Sequence, residues 1–228
     1  MENENQEKIP GQDGSKPIRT KAIQTPYDYV TLLKMVEAHG TVMCGHPYKI
    51  HDIDRSPILK LLAYFLQDRA IVEDDGLDLR KGVLVTGPVG CGKSSIVKIL
   101  RTMTGRPRHL RLYSCRDVAL DYALKGHDVI LAHSRNAYYP YTVVPRTHIY
   151  DDLGLEGTVK YWGNDCNVMA EILLSRYDMF LSCGMITHVT TNLNSSEIEA
   201  VYGNRLRSRM REMFNLVAFD SKSRDKRR

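Results

Sequence analysis

The sequence predicts an α/β fold in which a mainly parallel sheet is covered by helices on both faces. Short runs rich in β-branched residues alternate with segments of helical periodicity, and strands joined through helices pair in parallel. A glycine-rich turn directly follows one such run, residues 83–86, and leads into a helical pattern. The length of 228 residues favours one main domain with short appendages over two full domains.

The first part of the chain predicts an arm and two helices. Residues 1–24 hold few apolar side chains, so we expect a flexible arm. Thr25-Pro26 resembles a helix start and His39-Gly40 a helix end, which predicts a helix over 26–38. Ser56-Pro57 opens a second amphipathic helix after an irregular stretch. We therefore divide the chain into an arm (1–24), a helical adaptor segment (25–55), a main domain (56–221) and a basic tail (222–228).

The main domain is expected to contain five strands. The patterns after the first strand predict, in order, a helix over 93–103, a strand over 109–113, a helix over 116–124, a strand over 146–151, a helix over 164–180, a strand over 187–191, helices over 196–202 and 204–213, and a strand over 216–219. This alternation indicates a five-stranded parallel sheet flanked by helices.

Composition excludes several classes of protein. No stretch approaches the ~20 apolar residues of a membrane span, and the start of the sequence lacks an apolar signal region, so we expect a cytoplasmic protein without membrane contact. Five scattered cysteines do not suggest a disulfide framework. The net charge of +5 arises locally, because residues 201–228 hold nine Lys/Arg against three Asp/Glu. This basic end can meet phosphates or remain solvated.

A phosphate-binding loop is the most specific motif. Residues 87–94, GPVGCGKS, match G-x-x-x-x-G-K-[ST] at each fixed position and lie between a predicted strand and a predicted helix. Backbone N–H groups of such a loop and the helix N-terminus hold a polyphosphate, Lys93 reaches the β- and γ-phosphates, and the Ser94 hydroxyl ligates Mg²⁺. The expected ATP-binding residues are Gly87, Pro88, Val89, Gly90, Cys91, Gly92, Lys93, Ser94 and Ser95.

Two acidic residues end the strand predicted over 146–151. Asp151 is expected to hold the hydrated Mg²⁺, and Asp152 to polarise the attacking water, because ligands bind at the carboxyl ends of parallel strands. An N-K-x-D guanine motif and an LSGGQ signature are both absent from the sequence. The stretch 114–146 has only three arginines and does not suggest the arginine-rich lid of small-molecule kinases. The remaining class is an ATPase that acts on a macromolecule.

Residues 56–224 resemble the AAA+ superfamily, in particular its DnaC/IstB-like branch of helicase loaders and transposition helper ATPases. The resemblance rests on GPVGCGKSS, YDDLG, THVTTNLN and the segment from Tyr202 to Met210, in that order. It implies that Asn192 senses the γ-phosphate and that Arg209 is an arginine finger, which in trans would make ATP assemble a homo-oligomer. It also implies an arginine near nucleotide close to the end, for which Arg224 is the candidate. No full C-terminal lid domain is expected.

Three functions stay open, of which the resemblance implies the first two. The first is a DnaC-like ATPase of DNA replication that loads or assists a hexameric helicase on single-stranded DNA and hydrolyses ATP slowly. The second is an IstB-like helper that recruits a transposase to DNA. The third is a nucleotide-gated binding module with little turnover. The motifs do not separate the loader from the helper.

The segment before the second helix carries a weaker signal. Cys44, His46 and His51 offer metal-binding side chains, but their spacing matches no zinc ribbon, and a turn between helices explains them better. In the resembling family this part of the chain borders the adenine. The position therefore suggests Tyr48 and Ile50 as residues of a base pocket.

Overall fold

The computed structural model describes residues 25–104 and 110–226. The predicted arm over 1–24 and the last two residues of the predicted tail lie outside the described residues. In chain order the helices and strands are α1 (Tyr29–Cys44), α2 (Asp52–Leu66), α3 (Arg69–Asp74), β1 (Gly82–Thr86), α4 (Lys93–Met103), β2 (Leu110–Ser114), α5 (Cys115–Lys125), α6 (His127–His133), β3 (Thr147–Leu153), β4 (Val159–Tyr161), β5 (Asn164–Cys166), α7 (Val168–Cys183), β6 (Thr187–Thr191), α8 (Ser195–Met213) and β7 (Phe214–Ala218).

The main sheet has five parallel strands in the order β2-β3-β6-β1-β7, which confirms the predicted architecture. The central strand β1 alternates between two hydrophobic cores. Val83 and Val85 face a core built with α1, α2 and α4, whereas Leu84 faces one built with α5, α7 and α8. Both faces of the sheet are therefore covered, and the carboxyl ends of the strands form one edge that carries the phosphate loop.

Helix α1 is longer than predicted at its carboxyl end. Asp28, and not Thr25, caps it by accepting a hydrogen bond from the Val30 N–H, and the helix continues to Gly45, which has a left-handed backbone with φ of 72°. Gly40 lies inside the helix. The prediction that His39-Gly40 ends it was wrong because Gly40 is needed for close packing, as described below, and not for a cap.

Helix α2 starts four residues earlier than predicted, at Asp52, so Pro57 lies within it. Helices α3 and α6 were not predicted. The antiparallel β4–β5 hairpin was also missed, and it replaces the first residues of the helix expected over 164–180. The two helices expected around Gly203 are confirmed, since Gly203 breaks the helical backbone of α8 with φ of 80° and ψ of 159°.

A buried arginine lies at the amino ends of β3 and β6, opposite the phosphate loop. The Arg176 guanidinium donates to the hydroxyl of Thr187 at 2.6 Å and to the carbonyl oxygens of Ile186 and His133 at 2.7 and 2.9 Å. Burial lowers its pKa and that of nearby histidines, foremost His148. The histidines packed at this end of the sheet are therefore neutral.

Among the described residues, no helix combines the length and apolar character that crossing a bilayer requires.

Candidate phosphate-binding site

The phosphate loop connects β1 to α4 at the carboxyl edge of the sheet. Gly92 precedes α4 in a left-handed conformation with φ of 99°, so the first N–H groups of the helix are presented to the loop. Gly87 lies against Phe219, and an added Cβ would be 2.7 Å from the Phe219 Cβ. The motif glycines are therefore required by backbone geometry and by close packing.

Lys93 is folded back onto the loop. Its side chain is buried, with 4% exposure for the residue, and its ammonium donates to the carbonyl oxygens of Gly87 and Pro88, each at 2.8 Å. The Cys91 sulfur lies 3.7 Å from the same nitrogen. These contacts hold a positive charge inside the loop, at the place where the motif needs a cation for phosphate.

A β-bulge positions the two acidic residues. The register between β3 and β6 shifts between Tyr150 and Leu153, so an extra residue of β3 faces its partner strand. Asp152 takes a left-handed backbone with φ of 59°, a conformation that aspartate tolerates better than most residues. Such bulges redirect side chains, and this one turns Asp152 toward the loop.

Thr190 of β6 holds both acidic residues. Its hydroxyl donates to the Asp151 carboxylate at 2.6 Å and accepts a hydrogen bond from the Asp152 N–H at 2.9 Å. The other Asp151 oxygen lies 3.4 Å from the Lys98 ammonium, and Asp151 is buried. The Asp151 carboxylate is thus fixed between the Thr190 hydroxyl and the Lys98 ammonium.

A cavity of about 120 Å³ opens beside the loop and brings half of the predicted site residues together. Of the predicted residues, it is lined by Gly90, Gly92, Lys93, Ser94, Ser95, Asp152 and Asn192. Asn192 reaches it because it follows directly after β6, the strand next to β1. Asp151 does not line the cavity, and its carboxylate instead contacts Thr190 and Lys98. The oxygen donors of Ser94 and Asp151 are of the type that Mg²⁺ prefers, so the residues present fit this ion.

Two of the predicted arginines lie elsewhere. The Arg209 guanidinium packs over the ring of Tyr177 at 4.9 Å from its centroid, in a groove between α6, α7 and α8. Arg224 lines a separate cavity with His51 and Lys222. Within one chain, neither belongs to the residues that line the phosphate-loop cavity.

The structure adds four residues to this cavity. Cys44, His46 and Tyr48 form one wall, and Lys226 contributes from the end of the described chain. The suggestion for Tyr48 agrees with this placement, whereas Ile50 packs on the hydrophobic core. Lys226 carries no signal in the sequence beyond its charge. Within the part of the chain that the structure describes, no group of three or more His, Cys, Asp or Glu residues is arranged to hold a metal. Cys44 and His46 therefore do not belong to such a group.

The Tyr48 hydroxyl is buried beside the loop without a hydrogen-bond partner among the described residues. Burial raises its pKa, so the group is a neutral phenol. A buried polar group normally has a partner, and this hydroxyl lines the cavity. A ligand with acceptor atoms would supply that partner.

No protein-family model and no curated protein sequence matches the chain. Solved structures do. A primosome component from Streptococcus pyogenes serotype M3 aligns with a TM-score of 0.50 and 18% identity, over 76% of this chain and 85% of that one. The structure of DnaI aligns with a TM-score of 0.52 and 16% identity, over 76% and 88%. Replication initiator DnaA, bound to AMPPCP and single-stranded DNA, aligns with a TM-score of 0.50 and 13% identity. The alignment covers 78% of this chain and 50% of the DnaA chain. These similarities confirm the expected fold.

Proposed function

We propose that this chain binds and hydrolyses ATP with Mg²⁺ and acts in DNA replication as a DnaC-like helicase loader or accessory ATPase. The observation that carries the proposal is the convergence of Lys93, Asp152 and Asn192 on one cavity beside a phosphate loop. Each is placed by a different strand, since Lys93 follows β1, Asp152 lies near the end of β3 and Asn192 follows β6. Together they supply a cation, a carboxylate and an amide where a triphosphate would lie.

The roles follow from the placement of each group. Lys93 exchanges its carbonyl partners for the β- and γ-phosphates, and the Asp152 carboxylate accepts a proton from the attacking water. Asn192 donates its amide to the γ-phosphate. Ser94 and Asp151 would hold Mg²⁺, which neutralises phosphate charge when it is bound. Thr190 fixes the orientation of both acidic residues.

Arg209 is proposed to act in trans. Because it lies over Tyr177 and outside the cavity of its own chain, a finger role requires a neighbouring copy. A planar guanidinium can brace the charge of the transferred phosphoryl group, with an effect of ~10³–10⁵ in rate for such fingers. ATP would then favour a homo-oligomer because the nucleotide lies between copies.

The replication role is supported by the fold of the primosome component, DnaI and DnaA. We infer a replicative helicase as the protein partner and single-stranded DNA as the nucleic acid, with residues 1–55 contacting the helicase. The exposed cations of α8 and of the chain end that could meet phosphates are Arg205, Arg211, Lys222 and Arg224. The transposition helper is the competing function, and it predicts a transposase and duplex DNA instead.

Calorimetric titration with Mg-ATP tests nucleotide binding. Lys93→Ala should abolish the heat of binding, whereas Lys125→Ala, which removes an exposed lysine that pairs with Asp121, should leave it unchanged. Asp152→Asn should bind ATP normally and lose ~10²-fold or more in phosphate release. A wild-type protein that shows no binding would contradict the proposal, and binding without turnover in the presence of DNA and helicase would favour the nucleotide-gated module.

A pull-down with purified partners separates loader from helper. The full chain should retain a replicative helicase, and a full-length variant with the exposed α1 residues Lys34 and Met35 changed to glutamate should retain less of it. Retention of a transposase together with a preference for duplex over single-stranded DNA would favour the helper.

A further inference from the structure

The segment after β7 crosses the phosphate loop, and we call residues 220–226 the strap. Its path begins where the Phe219 N–H donates to the Thr86 carbonyl at 2.8 Å, at the end of β1. It ends where the Lys226 N–H donates to the Gly90 carbonyl at 3.0 Å. The chain is therefore held at the end of β1 just before the strap and at the phosphate loop where the strap ends.

The Lys226 side chain joins the loop to helix α2. Its ammonium donates to the Cys91 carbonyl at 2.6 Å and lies 2.8 Å from an Asp54 carboxylate oxygen. The ammonium also lies over the Phe219 ring, 5.6 Å from its centroid. The Lys226 side chain is only 14% exposed, so this cation is held inside the structure.

Asp54 faces the strap with both of its oxygens. The one not contacted by Lys226 accepts a hydrogen bond from the Ser223 hydroxyl at 2.6 Å. Asp54 is fully buried in the first turn of α2, separated from Ser223 by 169 residues of sequence. A buried carboxylate is strongly unfavourable without such partners, so closure of the strap and burial of Asp54 depend on each other.

The strap occupies space that a nucleotide needs. The cavity beside the loop measures about 120 Å³ with Lys226 in its wall, whereas small-molecule sites usually enclose about 300–1,000 Å³. The Asp225 carboxylate lies directly against Gly90, and its negative charge opposes an approaching phosphate. With the strap in place, the space beside the loop is therefore smaller than a bound nucleotide usually occupies.

We propose that the strap is an internal competitor of the nucleotide and that Asp54 fastens it. This inference rests on the proposed function, because it describes regulation of the same site. Binding of a nucleotide displaces Lys226 and Asp225 and leaves Asp54 without its partners, so helix α2 and the segment before it sense whether the site is filled. The apparent nucleotide affinity is reduced by the fraction of molecules with a closed strap.

The first test compares nucleotide affinities by titration with a fluorescent ATP analogue. The paired change Asp54→Asn with Lys226→Met removes the buried ion pair without leaving a lone charge. If the strap is closed in about nine molecules of ten, the variant should bind up to about tenfold more tightly. Lys222→Met is the matched control, since it removes an exposed charge of the strap, and it should leave the affinity unchanged.

The outcomes of this titration are distinguishable. Equal binding by the folded double variant would overturn the strap. Weaker binding would overturn it as well and would make Lys226 a ligand of the nucleotide. Absence of binding in both wild type and variant would overturn the proposed function itself.

The second test uses the wild-type protein and does not depend on any variant. Trypsin should cleave after Arg224 faster when Mg-ATP is present, because release of Lys226 and Ser223 exposes the strap, and mass spectrometry detects the shortened chain. Protection of this site by Mg-ATP would contradict the proposal. Without nucleotide, the double variant should be cleaved faster than wild type.

Discussion

Gly40 in helix α1 lies directly against the ring of Tyr48. A Cβ at Gly40 would be 2.5 Å from the Cγ and 2.9 Å from the Cβ of Tyr48. The same helix holds the segment around Tyr48 through the Thr41 hydroxyl, which accepts from the Tyr48 N–H at 3.0 Å, and the Glu37 carboxylate, which accepts from the Ile50 N–H at 2.9 Å. Helix α1 thereby places one wall of the phosphate-loop cavity.

Gly40→Ala is expected to destabilise the protein although it raises helix propensity. The propensity gain is ~1 kcal/mol, whereas overpacking against a buried ring costs ~1–3 kcal/mol and displaces Tyr48. Urea denaturation should therefore show a loss of stability, and the affinity for Mg-ATP should fall as well. His39→Ala changes the exposed neighbour and should do neither. A stabilised Gly40→Ala variant would contradict the close packing.

Tyr48→Phe tests whether the buried hydroxyl meets the nucleotide. The change removes a polar group that has no partner among the described residues, so the stability of the nucleotide-free protein should be unchanged or slightly higher. The affinity for Mg-ATP should fall by roughly tenfold, the equivalent of one hydrogen bond of ~1–1.5 kcal/mol. Tyr141→Phe, at a fully exposed ring, is the control. An unchanged dissociation constant would exclude this contact.

Thr190→Val is expected to lower the turnover of ATP more than its binding. The valine keeps the shape of the side chain but frees Asp151 and the Asp152 N–H from the shared hydroxyl. Thr187→Val is a matched control on the same strand, since it removes a 2.6 Å hydrogen bond to Arg176 at the opposite end. Both variants should lose stability, and only Thr190→Val should reduce kcat. Equal effects of the two variants on kcat would indicate a structural role alone.

A mixing experiment tests the placement of Arg209. Lys93→Ala and Arg209→Ala should each be inactive alone, because one lacks the phosphate cation and the other the finger. Mixed oligomers contain interfaces that combine an intact phosphate loop with an intact Arg209 from the neighbour, so phosphate release should partly return. Arg205→Ala serves as a control from the same groove. No recovery in co-assembled mixtures would contradict a finger in trans.

The stability of the fold should decrease as the pH falls from 7 towards 5. Burial, aided by the charge of Arg176, lowers the pKa of His148 to about 2, of His188 to about 3 and of His133 to about 4. Between these values and the pKa of ~6.5 in the unfolded chain, only the unfolded state takes up protons. Each histidine then costs at most ~1.4 kcal/mol per pH unit, so we expect a loss of about 2–4 kcal/mol between pH 6 and 5.

Urea denaturation at several pH values measures this loss. His188→Asn keeps an acceptor for the Val83 N–H and should reduce the slope, whereas His39→Gln, at an exposed position, should not. The lowered pKa values of Asp68 and Asp78 act in a separate range, because their contribution is lost only below about pH 4. Constant stability between pH 6.5 and 5 would contradict the burial of neutral histidines.

Local patterns were sufficient for the main sheet and for the phosphate loop. The strand over residues 187–191 was predicted with the bounds that the structure has. A short run rich in β-branched residues is typical of a strand that is buried on both faces. The ends of α1 and α2 were wrong, since glycine and proline were interpreted as helix boundaries. Gly40 lies inside the helix because it packs against Tyr48, eight residues further along the chain. Rules for helix ends consider only neighbouring residues and do not include such a contact.

The residue types of the candidate site could be predicted from local sequence, because a phosphate loop and a paired acidic motif are short stretches whose spacing is set by backbone geometry. Which of those groups face the cavity depends on tertiary packing. The bulge that separates Asp151 from Asp152 depends on pairing with β6, and the position of Arg209 depends on the packing of α8 on α7. The link between Lys226 and Asp54 joins residues far apart in the chain, and long-range contacts of this kind exist only once the sheet has formed.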